Sequence, residues 1–338
     1  MVVASREAKP KWSMVPATVR EEVSRVLKAP VARAVRAYGG YTPSATFRLV
    51  LADGRRFFFK GTYPLPAISV VQWSLAAEER VYRELGQLIQ PWAPAYVGSV
   101  RLDGWHALLL EDLGGRNVLP WTAVKAERAA KSYAQFHQTT RGHSLPPWVS
   151  RERHLRFGAY WHQLGAENGA LDRVASLAGP EAGAARRWLE GSLPALLQAA
   201  EPLMSVQGPS VLMHFDTRSD NIRLQGELLR MFDWPFAAVG PQELDLAAFA
   251  QSIESENGPR GEDVARWYTS VLELRPHLLD ASIAGIAGYF AVHAPRTAVE
   301  ELPRLRSLQR RQLKASLAWA ARALGLPEPT SWLYAIPN

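Results

Sequence analysis

The 338-residue chain contains no cysteine. That absence removes disulfides, thiolate metal sites and thiol nucleophiles together. Long apolar runs are also missing. The N-terminal MVVASREAKPKWSM has no continuous apolar core, so no secretory leader is expected. The uncharged stretch 61–77 carries two prolines and several polar residues, and the more apolar Ala281–Pro295 is too short to span a bilayer. There is no GxxxxGK[ST] loop, no internal repeat and no low-complexity tract. No dense Lys/Arg run interleaved with aromatics marks a strand-binding groove. The expectation is a soluble cytoplasmic protein with neither nucleic acid nor membrane as partner.

What is present fits an ordinary globular chain, with 47% hydrophobic and 21% charged residues. Its length suits two domains or one large bilobal one. The net charge of +7 is unevenly spread. Residues 1–111 hold 15 Lys+Arg against 9 Asp+Glu, whereas residues 112–338 hold 24 against 23. The excess sits in the first third of the chain.

The most informative stretch is Val211–Ala247, VLMHFDTRSDNIRLQGELLRMFDWPFAAVGPQELDLA. It puts His214, Asp216, Arg218 and Asn221 on one short loop. A strand–turn–strand then runs from Ile222 through Gly226 to Phe232, and Asp233 follows at once. An acid and an amide five residues apart, with a second acid returned beside them by a hairpin, suit Mg²⁺ and a phosphoryl group. Such a site takes a few hard oxygen ligands from the protein and the rest from water and phosphates.

His214-x-Asp216-x4-Asn221 followed by Asp233-Trp234 resembles the catalytic and metal motifs of the aminoglycoside phosphotransferase family, which shares the protein-kinase fold. Gly240-Pro241 and Asp245-Leu246-Ala247 resemble the family's segment after the metal aspartate. The resemblance implies an α+β, bilobal protein-kinase-like fold with a small β-rich first lobe and a larger, mostly helical second lobe. It also implies ATP and Mg²⁺ as cofactors and a small hydroxylated molecule as acceptor. Asp216 would be the catalytic base, and Asn221 and Asp233 would hold the metal. His214 and Asp245 would support the loop, Asp245 by accepting its backbone N–H groups. Arg218 would reach the γ-phosphate, a solvated arginine being the alternative.

Three segments are expected: an N-terminal helical piece over 1–37, a nucleotide lobe over 38–112 ending in a hinge, and a catalytic lobe over 113–338. Helical spacing of Val19, Val23, Val26 and Leu27 supports the first, with Pro30 interrupting it. In the second, Phe47, Leu49 and Leu51 alternate and Asp53-Gly54 signals a hairpin leading to Lys60. The turn over 39–44, with Gly40 and Ser44, is placed to close over a nucleotide. A helix is expected over about 70–85, and its spacing resembles the family's helix, which implies Glu78, in preference to Glu79, as partner for Lys60. The run HALLLEDLGG reads as a buried strand stopping at Glu111; it resembles the hinge between lobes, which implies that backbone groups of Glu111–Leu113 meet the adenine. A helix is expected from Thr122 to about Thr139, with His137 as a packed histidine. Glu254, Glu256, Glu262 and Asp263 read as a solvated cluster, the alternative being a face for a cationic sugar. Residues 141–210 give little signal, and the resemblance implies that this region helps bind the acceptor. Two rivals remain: a catalytically silent nucleotide-binding protein, which predicts loss of Asp216, Asn221 or Asp233, and a nucleic-acid binder. All three residues are present. The acceptor, the choice of ATP over GTP and the oligomeric state are left open.

Overall fold

A computed structural model describes residues 9–38, 44–64, 69–299 and 302–338. The first lobe contains helix α1 (Ala17–Leu27), strands β1 (Val31–Arg36), β2 (Ala45–Leu51) and β3 (Arg56–Thr62), helix α2 (Ser69–Ile89), and strands β4 (Tyr96–Leu102) and β5 (Trp105–Glu111). The strands form one antiparallel sheet in the order β1-β2-β3-β5-β4.

Period-2 alternation decides what each face carries. Phe47, Leu49, Phe59, Ala107 and Leu109 pack with Val19, Val23 and Leu27 of α1. On the other face Leu108 and Leu110 pack with Val81, Tyr82 and Leu85 of α2 and continue into the core of the larger lobe. Strand β5 is therefore covered on both sides, which is why its sequence is continuously apolar rather than alternating.

One expectation needs correction. Residues 31–36 were expected to lie within a helical segment, but they form edge strand β1, paired with β2 from Val31↔Leu51 to Arg36↔Phe47. None of its six residues is buried, so VARAVR shows no apolar alternation. Tertiary pairing after the Pro30 break overrides local propensity.

The larger lobe runs through α3 (Ala123–Thr140), α4 (Leu155–Ala166), α5 (Ala170–Ser176), α6 (Ala182–Ala200), β6 (Val211–Met213), β7 (Ile222–Gln225), β8 (Leu228–Met231), β9 (Ala238–Gly240), α7 (Gln242–Ser255), α8 (Gly261–Thr269), α9 (Pro276–His293), α10 (Leu305–Ala323) and α11 (Thr330–Ala335). Thr122 caps α3, its hydroxyl accepting from Lys125 N at 3.3 Å. The β7–β8 hairpin lies between the paired strands β6 and β9, so the segments on either side of it leave from one place.

The apolar run of the sequence lies in α9, which is buried along most of its length. Among the described residues no helix is long and apolar enough to cross a membrane. Helices α4 and α9 cross closely. Trp161 Nε1 donates to the Ala284 carbonyl at 2.7 Å, and a Cβ on Gly285 would sit 3.0 Å from the Phe157 carbonyl oxygen.

Candidate active site

The hairpin sets the geometry. Ile222 pairs with Met231, and Phe232 N donates to Asn221 O at 3.0 Å, so Asn221 and Asp233 emerge side by side from neighbouring strands. On β3 the same alternation that buries Phe59 under α1 turns Phe58 and Lys60 towards α2. Lys60 Nζ donates to Glu78 Oε2 at 2.5 Å and to Asp233 Oδ1 at 2.8 Å, and Glu78 Oε1 accepts from Asp233 N at 3.1 Å. Glu79 faces elsewhere and accepts from Ser99 Oγ at 2.5 Å.

Burial opposes the Lys60 charge, but Asp233 and Glu78 outweigh it and hold the ammonium above the ordinary lysine range. Burial likewise opposes ionisation of Asp233, yet Lys60 keeps that carboxyl low. Glu78 is pushed up by burial, which Lys60 offsets only in part.

The loop after β6 hangs from α7. Asp245 Oδ2 accepts from His214 N at 2.7 Å and Oδ1 from Phe215 N at 2.8 Å. His137 Nε2 lies 3.1 Å from Asp245 Oδ2, and its Nδ1 lies 2.7 Å from the Tyr268 hydroxyl. His214 Nδ1 accepts from Asp216 N at 3.2 Å, which leaves Nε2–H to donate to Phe232 O at 3.1 Å. That arrangement requires the neutral imidazole, and burial pulls the His214 pKa down to about 4.

Phe215 and Asp233 both have left-handed backbones, with φ of 70° and 68°. Such conformations cost about 1–3 kcal/mol in a non-glycine residue and persist where the surroundings fix them. Here each N–H is held by a buried carboxylate, Asp245 for Phe215 and Glu78 for Asp233.

Asp216 Oδ1 accepts from Arg218 Nε at 2.6 Å, and its Oδ2 accepts from Arg218 Nη2 at 3.1 Å and from Asn221 Nδ2 at 2.8 Å. Burial raises the Asp216 pKa to about 6, outweighing the Arg218 guanidinium. Asn221 spends its N–H donors on Asp216, so its carbonyl Oδ1 is the atom offered to a cation. Among the described residues no three His, Asp or Glu groups gather as a metal cage. The donor set of one amide oxygen and one carboxylate fits Mg²⁺, which keeps waters and phosphate oxygens as its other ligands.

The strand end expected to meet adenine is partly committed. Glu111 N already donates to Ala95 O at 2.9 Å, and its Oε2 pairs with Arg230 at 2.6 Å. Leu113, two residues on, is half-buried, and Arg48 ties the same turn through Asp112 at 3.3 Å and the Gly114 carbonyl. Ser44 is buried, and Gly40 lies outside the described residues.

The acidic cluster is not simply solvated. Glu254 and Glu262 pair with Arg322 at 2.9 and 2.7 Å. Glu256 accepts from Ser219 Oγ at 2.6 Å and from Trp121 Nε1 at 2.9 Å, bracing the turn that carries Asn221. These partners lie 37 to 135 residues away in the chain, beyond any local pattern.

Residues 35–277 match the phosphotransferase enzyme family. The chain belongs to that family. It is a phosphotransferase, with the α+β bilobal protein-kinase-like fold. No curated protein sequence matches it significantly. Among solved structures, a spectinomycin phosphotransferase in complex with ADP and spectinomycin matches with a TM-score of 0.53 at 14% identity, over 94% of this chain and 97% of that one. A candidate fructosamine-3-kinase from Thermobifida fusca matches with a TM-score of 0.51 at 21% identity, over 88% and 99%. A choline/ethanolamine kinase family protein from Mesorhizobium loti matches with a TM-score of 0.51 at 15% identity, over 90% and 92%. At these identities the likeness is one of fold.

Proposed function

We propose that the protein transfers the γ-phosphoryl group of ATP to a hydroxyl of a small molecule. The observation that carries this reading is the convergence of Asp216, Asn221 and Asp233 with the Lys60–Glu78 pair. Phosphoryl transfer asks mainly for positioning and charge neutralisation. The acceptor oxygen attacks the γ-phosphorus, the bond to the ADP oxygen breaks, and the hydroxyl proton passes to Asp216. A carboxylate with a pKa of about 6 is ionised at neutral pH and basic enough to take that proton.

Mg²⁺, bound to Asn221 Oδ1 and the Asp233 carboxylate, would supply charge neutralisation on the nucleotide phosphates. Lys60 would hold the α- and β-phosphates, with Glu78 orienting it. Arg218 would exchange Asp216 for the γ-phosphate. His214 and Asp245 keep the loop in shape. The segment with Gly40 and Ser44 would cover the nucleotide. Because the Glu111 N–H is spent, the donor to adenine falls to the backbone at Leu113. Nucleotide use is supported by the ADP named with the spectinomycin phosphotransferase. Antibiotics, fructosamine and choline or ethanolamine all occur in the names of its fold neighbours, so the fold does not choose the acceptor.

The test is ADP release from Mg–ATP with a panel of hydroxylated compounds, comparing the wild type with Asp216→Ala. Loss of a positioned base costs about 10²–10⁴-fold in rate. A wild type that binds nucleotide without transfer, or a variant as active as the wild type, would overturn the proposal.

A further inference from the structure

Beside the loop that carries Asp216 lies a surface of unusual composition. Phe215, its immediate neighbour, stacks edge-on against Phe157 of α4 at 5.0 Å, and Phe157 lies on Tyr289 of α9 at 5.5 Å. Tyr160 contacts Tyr289 at 5.6 Å and His293 at 5.7 Å, while Tyr289 and His293 meet at 4.3 Å. The α4–α9 crossing thus builds an aromatic floor running outward from the catalytic loop.

Its rim is basic. Arg153 and Arg156 stand at the start of α4, and Arg296 follows the end of α9. Arg306 holds the intervening turn by donating to the Thr297 carbonyl at 2.8 Å and the His293 carbonyl at 3.3 Å. Residues 151–166 contain one acid, Glu152, and residues 281–299 contain none. Glu300 and Glu301 lie outside the described residues.

Some arginines of the lobe have carboxylate mates, as in Arg275 with Glu243 at 2.7 Å and Arg186 with Asp172 at 2.9 Å, while others, such as Arg187 and Arg310, form no ion pair among the described residues. Among the described residues Arg153, Arg156 and Arg296 have none. The Arg153 Nε is buried without a hydrogen-bond acceptor, its guanidinium lying 5.6 Å from the centre of the Phe236 ring.

We infer that the acceptor is an anion: a hydroxylated small molecule bearing a carboxylate or phosphate group, seated on the Tyr160–Tyr289–His293 floor with its charge against Arg153, Arg156 and Arg296. The inference rests on the phosphotransferase reading of Asp216 and specifies its substrate. Guanidinium groups match carboxylate and phosphate oxygens in geometry as well as sign, and all three arginines act on the Tyr160 phenol. A polycationic acceptor would meet like charge at this rim, and residues 155–166 and 281–299 offer it no acid. The electrostatics agree with the layout. Burial raises the Tyr289 phenol to about 12, with Tyr160 and Asp216 adding to the rise and Arg218 and Arg296 opposing it, so the floor senses both the loop and the rim. Burial, then Arg296 and Arg306, pull His293 down to about 4, so the imidazole is uncharged at neutral pH.

The experiment is calorimetric titration of the Mg–ADP-loaded protein with sugar phosphates, sugar acids, their uncharged parent sugars and aminoglycosides, paired with ADP release from Mg–ATP. The expected result is binding and turnover of anionic compounds at least tenfold better than their uncharged parents. Arg156→Gln and Arg296→Gln should each raise KM for the anion tenfold or more, with kcat and the melting temperature changed little. Three results would overturn the inference: preference for an uncharged or cationic acceptor, binding by no anionic compound, or an anion KM untouched by both substitutions. Failure of the underlying reading looks different. The protein would then bind no Mg–ADP, or bind it and release no ADP from Mg–ATP with any compound, and anion titration with and without Arg296→Gln would still score the rim.

Discussion

Replacing Asp216 with asparagine should expose a pH dependence of stability that the wild type conceals. In the folded protein burial raises Asp216 to about 6 and lowers His214 to about 4, against ordinary values of 3.8 and 6.5. Between pH 4 and 6 the folded chain carries a proton on Asp216 that the unfolded chain lacks. Over the same window the unfolded chain carries a proton on His214 that the folded chain lacks. Asp216 therefore favours the folded state at low pH and loses that contribution as pH rises through 6. His214 favours it above 6.5 and loses that contribution as pH falls towards 4. The two slopes oppose each other.

Asp216→Asn removes one of them, and each pH unit is then worth about 1.4 kcal/mol. Relative to the wild type, the variant should lose roughly 3 kcal/mol between pH 6 and pH 4. Urea unfolding at half-unit intervals, followed by tryptophan fluorescence and far-UV circular dichroism, measures the difference where the two signals coincide. A gap between the proteins that stays constant across the window would refute the reasoning, because Asp216 would then titrate alike in both states.

Two further outcomes follow from packing and charge. Lys60→Met strands a buried Glu78 and leaves Asp233 unpaired; breaking such a pair costs about 3–5 kcal/mol, read as a lowered urea midpoint together with weaker Mg–ADP binding by calorimetry. Gly285→Leu drives a side chain into the Phe157 backbone and Leu203; overpacking of this kind costs about 1–3 kcal/mol, and a melting temperature equal to the wild type's would show that α4 and α9 can separate freely.

How much of this was legible depended on whether the information was local. The Asp216–Asn221–Asp233 grouping could be read because one hairpin connects its members, and Lys60 with Glu78 because a strand and the next helix carry them. Helices α2 and α3 stand close to where they were expected, at Ser69–Ile89 and Ala123–Thr140. Strand β1 does not, because an edge strand with no buried residue has no pattern to display. His137 could be identified as packed, but its tie to Asp245, 108 residues away, could not. Glu254, Glu256 and Glu262 looked solvated for the same reason: their partners are supplied by the fold. The Tyr160–Tyr289–His293 floor joins α4, inside the stretch with the least sequence signal, to α9, and only the helix crossing brings the two together.

Glu78 grips the Lys60 ammonium with one oxygen and the main chain of Asp233 with the other. A single side chain on α2 thereby couples Lys60 to Asp233, the residues proposed to hold the nucleotide and the cation. Were that helix to swing outward, both contacts would be lost in the same motion, so Lys60 and the backbone of Asp233 keep or lose their shared anchor together.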